Sequence, residues 1–288
     1  MSRAVACNSE EQAEPPQSSS ACSTRETGRK PMIRLQRIAL LIFVAVALGI
    51  FPYVAAQEQA TTHPHWSYAG PGGPADWGDL EPGFALCKQG NRQSPIDIRQ
   101  TRRADLQRIR FEYKPVPLRI INNGHSIQIN VQSGGGITVG AEKYSLVQFH
   151  FHNPSEEMID GRRFDFVAHL VHQDAAGHLA VVAVLMKTGG ENPFIQTLWN
   201  NLPPHNGTEY APEGVTVDPA ALLPNDQNYY TFTGSLTTPP CTEGVTWYVL
   251  KSPVEISGPQ IAMFARFYPD NARPVQPANG REILESSF

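Results

Sequence analysis

Basic clusters are missing from most of this chain. Within residues 57–288 the doublets Arg102-Arg103 and Arg162-Arg163 stand alone, and both read as solvated turns. Over the same residues 17 basic side chains face 23 acidic ones, a net charge of −6. Nucleic-acid binding needs a basic patch to neutralise phosphates, so that class of partner is disfavoured. Internal repeats are absent, and no linker composition interrupts residues 64–285, which favours one domain.

A membrane-length apolar run is missing as well. The stretch Ile38 to Phe51 is short for a span. It follows Met32, Arg34 and Arg37 and precedes Val54-Ala55-Ala56, which is how a secretion signal cut ahead of Gln57 is built. Residues 1–31 are polar, with no apolar periodicity. Either translation starts at Met32, or residues 1–31 form a disordered extension ahead of an uncleaved anchor. The chain is thus expected to divide into an extension (1–31), a signal peptide (32–56) and an exported domain (57–288) with no membrane attachment after cleavage.

Cysteine is scarce. Cys7 and Cys22 precede the expected cut, which leaves Cys87 and Cys241. Two cysteines in an exported domain read most simply as one disulfide, two free buried thiols being the alternative. On the chain-entropy picture such a bond contributes about 4–5 kcal/mol.

What is present is mainly β signal. Leu118 to Ile121 and Ser126 to Val131 carry alternating or branched residues, with a turn at Asn122-Asn123-Gly124. Ile137 to Val139 and Gly244 to Leu250 read as further strands. Leu179 to Met186 is continuously apolar, fit for a strand buried on both faces. Asn192 with Pro193 starts one helix, placing Phe194, Ile195, Leu198, Trp199 and Leu202 on one side; Ser257 starts another over Gln260 to Phe267. The pattern predicts a mainly β domain with short peripheral helices.

The chemistry concentrates in Gln148-Phe149-His150-Phe151-His152. Side chains alternate along a strand, so the phenylalanines enter a core while His150 and His152 project together. His169 lies in a second strand-like run seventeen residues after His152. Three neutral imidazoles from two strands suit a catalytic zinc site with an open fourth position, whereas a structural site more often carries thiolates. Unrelated strand histidines are the bland alternative.

Several separated segments then resemble one family. Trp66-Ser67-Tyr68, Gln93-Ser94-Pro95-Ile96-Asp97-Ile98, Asn122-Asn123-Gly124-His125, Gln148 to His152, Ala168 to His172, Gly234 to Pro240 and Asn271 to Pro277 are similar, in order, to the alpha-class carbonic anhydrases. The resemblance covers roughly 64–285. It implies a single domain built on a large, twisted, mostly antiparallel central sheet with short peripheral helices. It also implies reversible hydration of carbon dioxide to bicarbonate and a proton, using Zn2+ on His150, His152 and His169 and a water whose pKa the metal lowers to about 7, the value characteristic of carbonic anhydrases.

Further roles follow from the same resemblance. Thr237 accepts from the nucleophile and donates to Glu156, while Thr238 helps hold bicarbonate. Val171, Val181, Leu236, Val245 and Trp247 form the apolar wall for carbon dioxide. His125 is the proton shuttle, a task suited to an imidazole. Gln148 and the Asn271 carbonyl accept the free N–H groups of His150 and His152. The cysteine pair resembles that of exported bacterial members, so the location expected is periplasmic or secreted. A small-molecule substrate and, at most, a homodimer are the partners implied. Ser94-Pro95 and Pro239-Pro240 match positions where the family has cis peptides. His63, His65, His178 and His205 read as solvated, and His172 as a hydrogen-bonded structural residue.

The chain departs from the family at three linked positions. The usual glutamate two residues before the third ligand is Val167, the usual histidine after Glu156 is Glu157, and a usual tyrosine is Phe232. Losing one carboxylate and gaining another nearby predicts that Glu157 accepts the free N–H of His169, with Val167 and Phe232 packed around it. A solvated Glu157 is the alternative. If the acceptor is absent, zinc affinity or activity is expected to fall about 10- to 100-fold; the alternative to an enzyme is a catalytically weak binding or scaffold domain of the same fold.

Overall fold

A computed structural model of the protein describes residues 65–288. The signal peptide, the 1–31 extension and His63 lie outside the described residues. Ile120–Asn122 (β1) and Ile127–Asn130 (β2) form an antiparallel hairpin. In its turn Asn123 Oδ1 accepts the backbone N–H groups of His125 at 2.9 Å and Ser126 at 2.8 Å. Gly124 takes a φ of +89°, which a residue without Cβ adopts freely. The first hairpin arm starts later than its composition suggests, because the Leu118 N–H is taken by Val215 O instead.

Glu142–His152 (β3), Phe166–Gln173 (β4), Leu179–Thr188 (β5), Tyr229–Ser235 (β6) and Glu243–Leu250 (β7) complete the working part of a 12-stranded sheet. In space they run β6-β7-β5-β4-β3-β2-β1. Every pairing in that run is antiparallel except β5 with β7, which is parallel.

The two-residue period sorts side chains onto two faces. Ala180 to Met186 are all buried, as a two-sided apolar strand requires. Ala180, Val182, Val184 and Met186 join Phe149, Phe151, Phe166 and Leu170 in one core. Val181, Ala183 and Leu185 join Val167, Val171 and Trp247 in a second core on the other face. Each such valine, leucine, methionine or phenylalanine side chain contributes roughly 1.5–3 kcal/mol when fully buried.

Helices cover the first core. Asn192 Oδ1 caps Pro193–Trp199 (α1) by accepting from the N–H groups of Phe194 and Ile195, and Phe194, Ile195, Leu198 and Trp199 are buried. Ser257 and Gln260 form a reciprocal capping box on Gly258–Ala265 (α2). This helix starts and stops two residues earlier than its sequence suggests; Pro259 fits its first turn, and the Phe267 N–H closes onto Phe264 O in a tighter last turn. Trp199 Nε1 donates to Gln260 O at 3.0 Å and ties the two helices together.

Cys87 and Cys241 are joined in a disulfide across 154 positions. Ser94-Pro95 and Pro239-Pro240 are cis, and so is Asn153-Pro154 just before Glu156. Gly234 permits a close approach: a Cβ there would lie 2.1 Å from Ser94 Oγ and 2.9 Å from the Trp247 ring. That approach fixes Trp247 beneath the histidine cluster.

Candidate metal centre

Strand register brings the three histidines together. His169 on β4 pairs directly with His150 on β3, and Val167 pairs with His152. The ring centroids are 4.7 to 5.6 Å apart. Each ring has one nitrogen engaged by an acceptor. His150 Nδ1 lies 2.8 Å from Gln148 Oε1, His152 Nδ1 lies 2.8 Å from Asn271 O, and His169 Nε2 lies 3.1 Å from Glu157 Oε2. These bonds set the tautomers and leave His150 Nε2, His152 Nε2 and His169 Nδ1 free. One ligand atom from each residue falls within 4.8 Å of the others, and among the described residues no other group of this kind occurs.

The residues fit a zinc ion. His152 Nε2 is buried with no hydrogen-bond partner, which is costly unless something binds it. Burial, then repulsion from His169, pulls the His150 pKa down to about 3, and burial holds His152 well below its ordinary value. Both rings are therefore neutral, the form that ligates. At His169 burial acts downward too, but the Glu157 and Glu156 carboxylates outweigh it and raise the pKa. Three imidazoles and no thiolate match a zinc site with room for a fourth ligand.

Glu156 is fully buried beside this centre. Its Oε1 accepts the Arg273 backbone N–H at 2.8 Å, while Oε2 faces His152 Nε2 at 3.5 Å and His169 Nδ1 at 3.8 Å. Burial raises its pKa and Glu157 adds to the rise; His169, the Thr237 hydroxyl and the Arg273 N–H oppose it. Thr237 is 5 % exposed, in a loop closed by Leu236 N–H to Thr242 O and Cys241 N–H to Thr238 O. Thr238 is half-buried.

Val171, Val181, Val245 and Trp247 lie in one cluster with Leu236 packed against it. Val171 pairs with Val181, and Val181 with Trp247, across three adjacent strands. The Trp247 ring meets His169 edge-on at 5.0 Å. An apolar wall therefore adjoins the histidines. Val167 is fully buried and Phe232 lies parallel to Trp247, so hydrocarbon fills the positions where the family commonly has polar groups.

His125 is half-buried and stacks on Trp66 with centroids 3.6 Å apart and planes 8° from parallel. Burial, then the charge of His65, lowers its pKa to about 4. His65 is exposed, as expected, and its ring lies 5.4 Å from His125. His178 is exposed but bonded to Asp174 at 2.8 Å, and His205 is exposed. His172 is buried, with Nε2 2.8 Å from the Tyr113 hydroxyl.

Sequence reasoning assigned no role to Trp66 or to the Asn271 side chain. Asn271 Nδ2 donates to His125 O and Phe151 O, and its Oδ1 accepts from Asn153 N–H. One residue thus holds the histidine turn, the ligand strand and the loop leading to Glu156. Contacts between positions so distant in sequence leave no local pattern to read.

Known proteins resemble this chain in sequence and fold. The family model described as "Eukaryotic-type carbonic anhydrase" matches residues 72–287. A Nostoc carbonic anhydrase is 38 % identical over 88 % of this chain and 98 % of its own length. One from Pectobacterium atrosepticum is 44 % identical over 76 % of this chain and 90 % of its own. The structure of a hyperthermostable carbonic anhydrase from a hydrothermal vent chimney superposes with a TM-score of 0.75 at 43 % identity, covering 77 % of this chain and 100 % of that one. Dioscorin, solved in complex with ascorbate, superposes with a TM-score of 0.71 at 34 % identity, covering 77 % and 97 %.

Proposed function

The chain belongs to the alpha-class carbonic anhydrase family, and we propose that it is a zinc-dependent enzyme interconverting carbon dioxide and bicarbonate. The observation that carries this reading is the convergence of His150 Nε2, His152 Nε2 and His169 Nδ1, each on a ring whose other nitrogen is already bonded. Zinc, when bound there, supplies the Lewis acidity that makes water a nucleophile near neutral pH.

The remaining chemistry belongs to the chain. Glu156 takes the Thr237 proton as hydrogen-bond acceptor, so the Thr237 oxygen is left to accept from a water at the centre and to orient it. The wall of Val171, Val181, Leu236, Val245 and Trp247 receives carbon dioxide, which offers little to hydrogen-bond. Thr238 holds the bicarbonate product, and His125 carries the proton outward as a weakly basic relay, its pKa held down to about 4 by burial and then by His65. Gln148, Glu157 and the Asn271 carbonyl fix the ligand rings. Glu157 performs from the Glu156 loop a task for which β4 offers only Val167.

The test is stopped-flow hydration of carbon dioxide before and after zinc removal and replacement. Fast, zinc-restored turnover supports the enzyme. Slow turnover with zinc fully bound supports a second reading, a weakly catalytic binding domain, which the likeness to dioscorin favours. We also propose export to the periplasm or beyond after cleavage ahead of Gln57. N-terminal sequencing of the mature protein should begin near Gln57; a chain retaining residues 1–31 would contradict it. Among the described residues no helix is long and apolar enough to cross a membrane.

A further inference from the structure

A chain of side-chain amides runs along the metal-bearing face, away from the histidines themselves. Gln128 is registered with His150 and Asn130 with Gln148, so both line the same face as the ligands. Asn123 Nδ2 donates to Gln128 Oε1 at 3.2 Å, Gln128 Nε2 to Asn130 Oδ1 at 2.7 Å, and Asn130 Nδ2 to Glu209 Oε2 at 2.7 Å. Glu209 in turn pairs with Arg119 at 2.5 Å. At the other end Asn123 Oδ1 takes the N–H groups of His125 and Ser126.

The direction of every link is forced from both ends. A carboxylate only accepts, so Asn130 must turn its NH2 toward Glu209 and its oxygen toward Gln128. Backbone N–H groups only donate, so Asn123 must turn its oxygen toward His125 and its NH2 toward Gln128. The two demands agree, and each bond polarises the next in the same sense. Glu209 reaches the chain because its loop is bonded to the free edge of β1, with Tyr210 N–H on Ile120 O and Gly207 N–H on Asn122 O. Glu209 and Arg119 are partly exposed, so their pairing adds little to stability. What they add is an acceptor of fixed polarity at the end of the relay.

We propose that Glu209, held by Arg119, is a positioning residue for proton export, acting through Asn130, Gln128 and Asn123 on the turn that carries His125. This rests on the reading of His125 as the proton carrier. Without the Glu209 acceptor Asn130 and Gln128 are held from one end only, the Asn123 side chain loses its fixed anchor, and the turn it braces lets the His125 ring move over Trp66.

The test uses the zinc-loaded full-length mature protein. Glu209→Ala should lower kcat in weak buffer roughly tenfold, a fraction of what a proton-transfer group contributes. It should leave kcat/KM unchanged, and excess imidazole should restore kcat. Glu209→Gln, which keeps an acceptor oxygen, should lie near wild type. Gln128→Leu, which neither accepts from Asn123 nor donates to Asn130, should reproduce Glu209→Ala. Amide hydrogen exchange at His125 and Ser126 should quicken in Glu209→Ala and Gln128→Leu. Wild-type kcat in weak buffer for both variants, unchanged exchange, or equal falls in kcat and kcat/KM would each overturn the proposal. A zinc-loaded wild type that hydrates no carbon dioxide would overturn the functional reading beneath it.

Discussion

The two faces of strands β3, β4 and β5 are built from one alternating sequence but do different work. On one, Phe149, Phe151, Phe166, Leu170 and Ala180, Val182, Val184 and Met186 of β5 make a hydrocarbon core closed by α1 and α2. On the other, His150, His152 and His169 share space with a smaller apolar cluster and two buried carboxylates, Glu156 and Glu157. On these strands the first face buries one imidazole, His172, whose Nε2 meets the Tyr113 hydroxyl and whose Nδ1 has no partner. The second keeps His152 Nε2 and Glu156 Oε2 buried without hydrogen-bond partners. Stability is concentrated on the face that is nearly all hydrocarbon, and chemistry on the face where imidazoles and carboxylates converge with room for a metal and a substrate.

The sharpest break in that division is His169→Ala. It should abolish zinc binding and reduce hydration to background, read by metal analysis beside stopped-flow assay; retained zinc and activity would remove the site from this face. On the hydrocarbon face Phe166→Ala should cost about 3–5 kcal/mol in equilibrium unfolding. Its kcat/KM per bound zinc should stay near wild type, and a parallel loss would show that the faces are not separable. Thr237→Val should keep zinc but lower kcat/KM by about 10²- to 10³-fold, as expected for a lost transition-state hydrogen bond.

Glu157→Gln should weaken zinc binding by about tenfold in chelator competition, the lower end for an acceptor behind a ligand. Adding Val167→Glu to Glu157→Gln should recover part of that loss, because residue 167 shares a face with His169. The smallest effect concerns His125. Removing the like charge in His65→Ala should raise the His125 pKa, and by less than burial lowers it, since burial is the larger cause. An NMR titration of His125 in both proteins checks the sign; a downward shift would contradict it.

Periodicity made the faces legible from sequence. The Phe-His alternation, the two-sided run at Leu179 to Met186 and the Asn192 and Ser257 caps each depend on residues a few positions apart, and each forms as its chemistry dictates. The Glu157 contact was legible for another reason: a carboxylate lost at Val167 and gained nearby leaves a compensating pair. Helix ends shifted because a proline or an i,i+3 bond decides the last turn locally. The Trp66 stack, the Asn271 side chain and the Glu209 relay join positions far apart in the chain. Their partners are set by the sheet's folding, so no window of sequence contains them.

The most direct measurement is a zinc-edge anomalous map from crystals of the metal-loaded protein. One peak is expected within bonding distance of His150 Nε2, His152 Nε2 and His169 Nδ1, with the Glu157 carboxylate still on His169 Nε2. A peak elsewhere, or zinc on His169 Nε2 with Glu157 turned away, would contradict it.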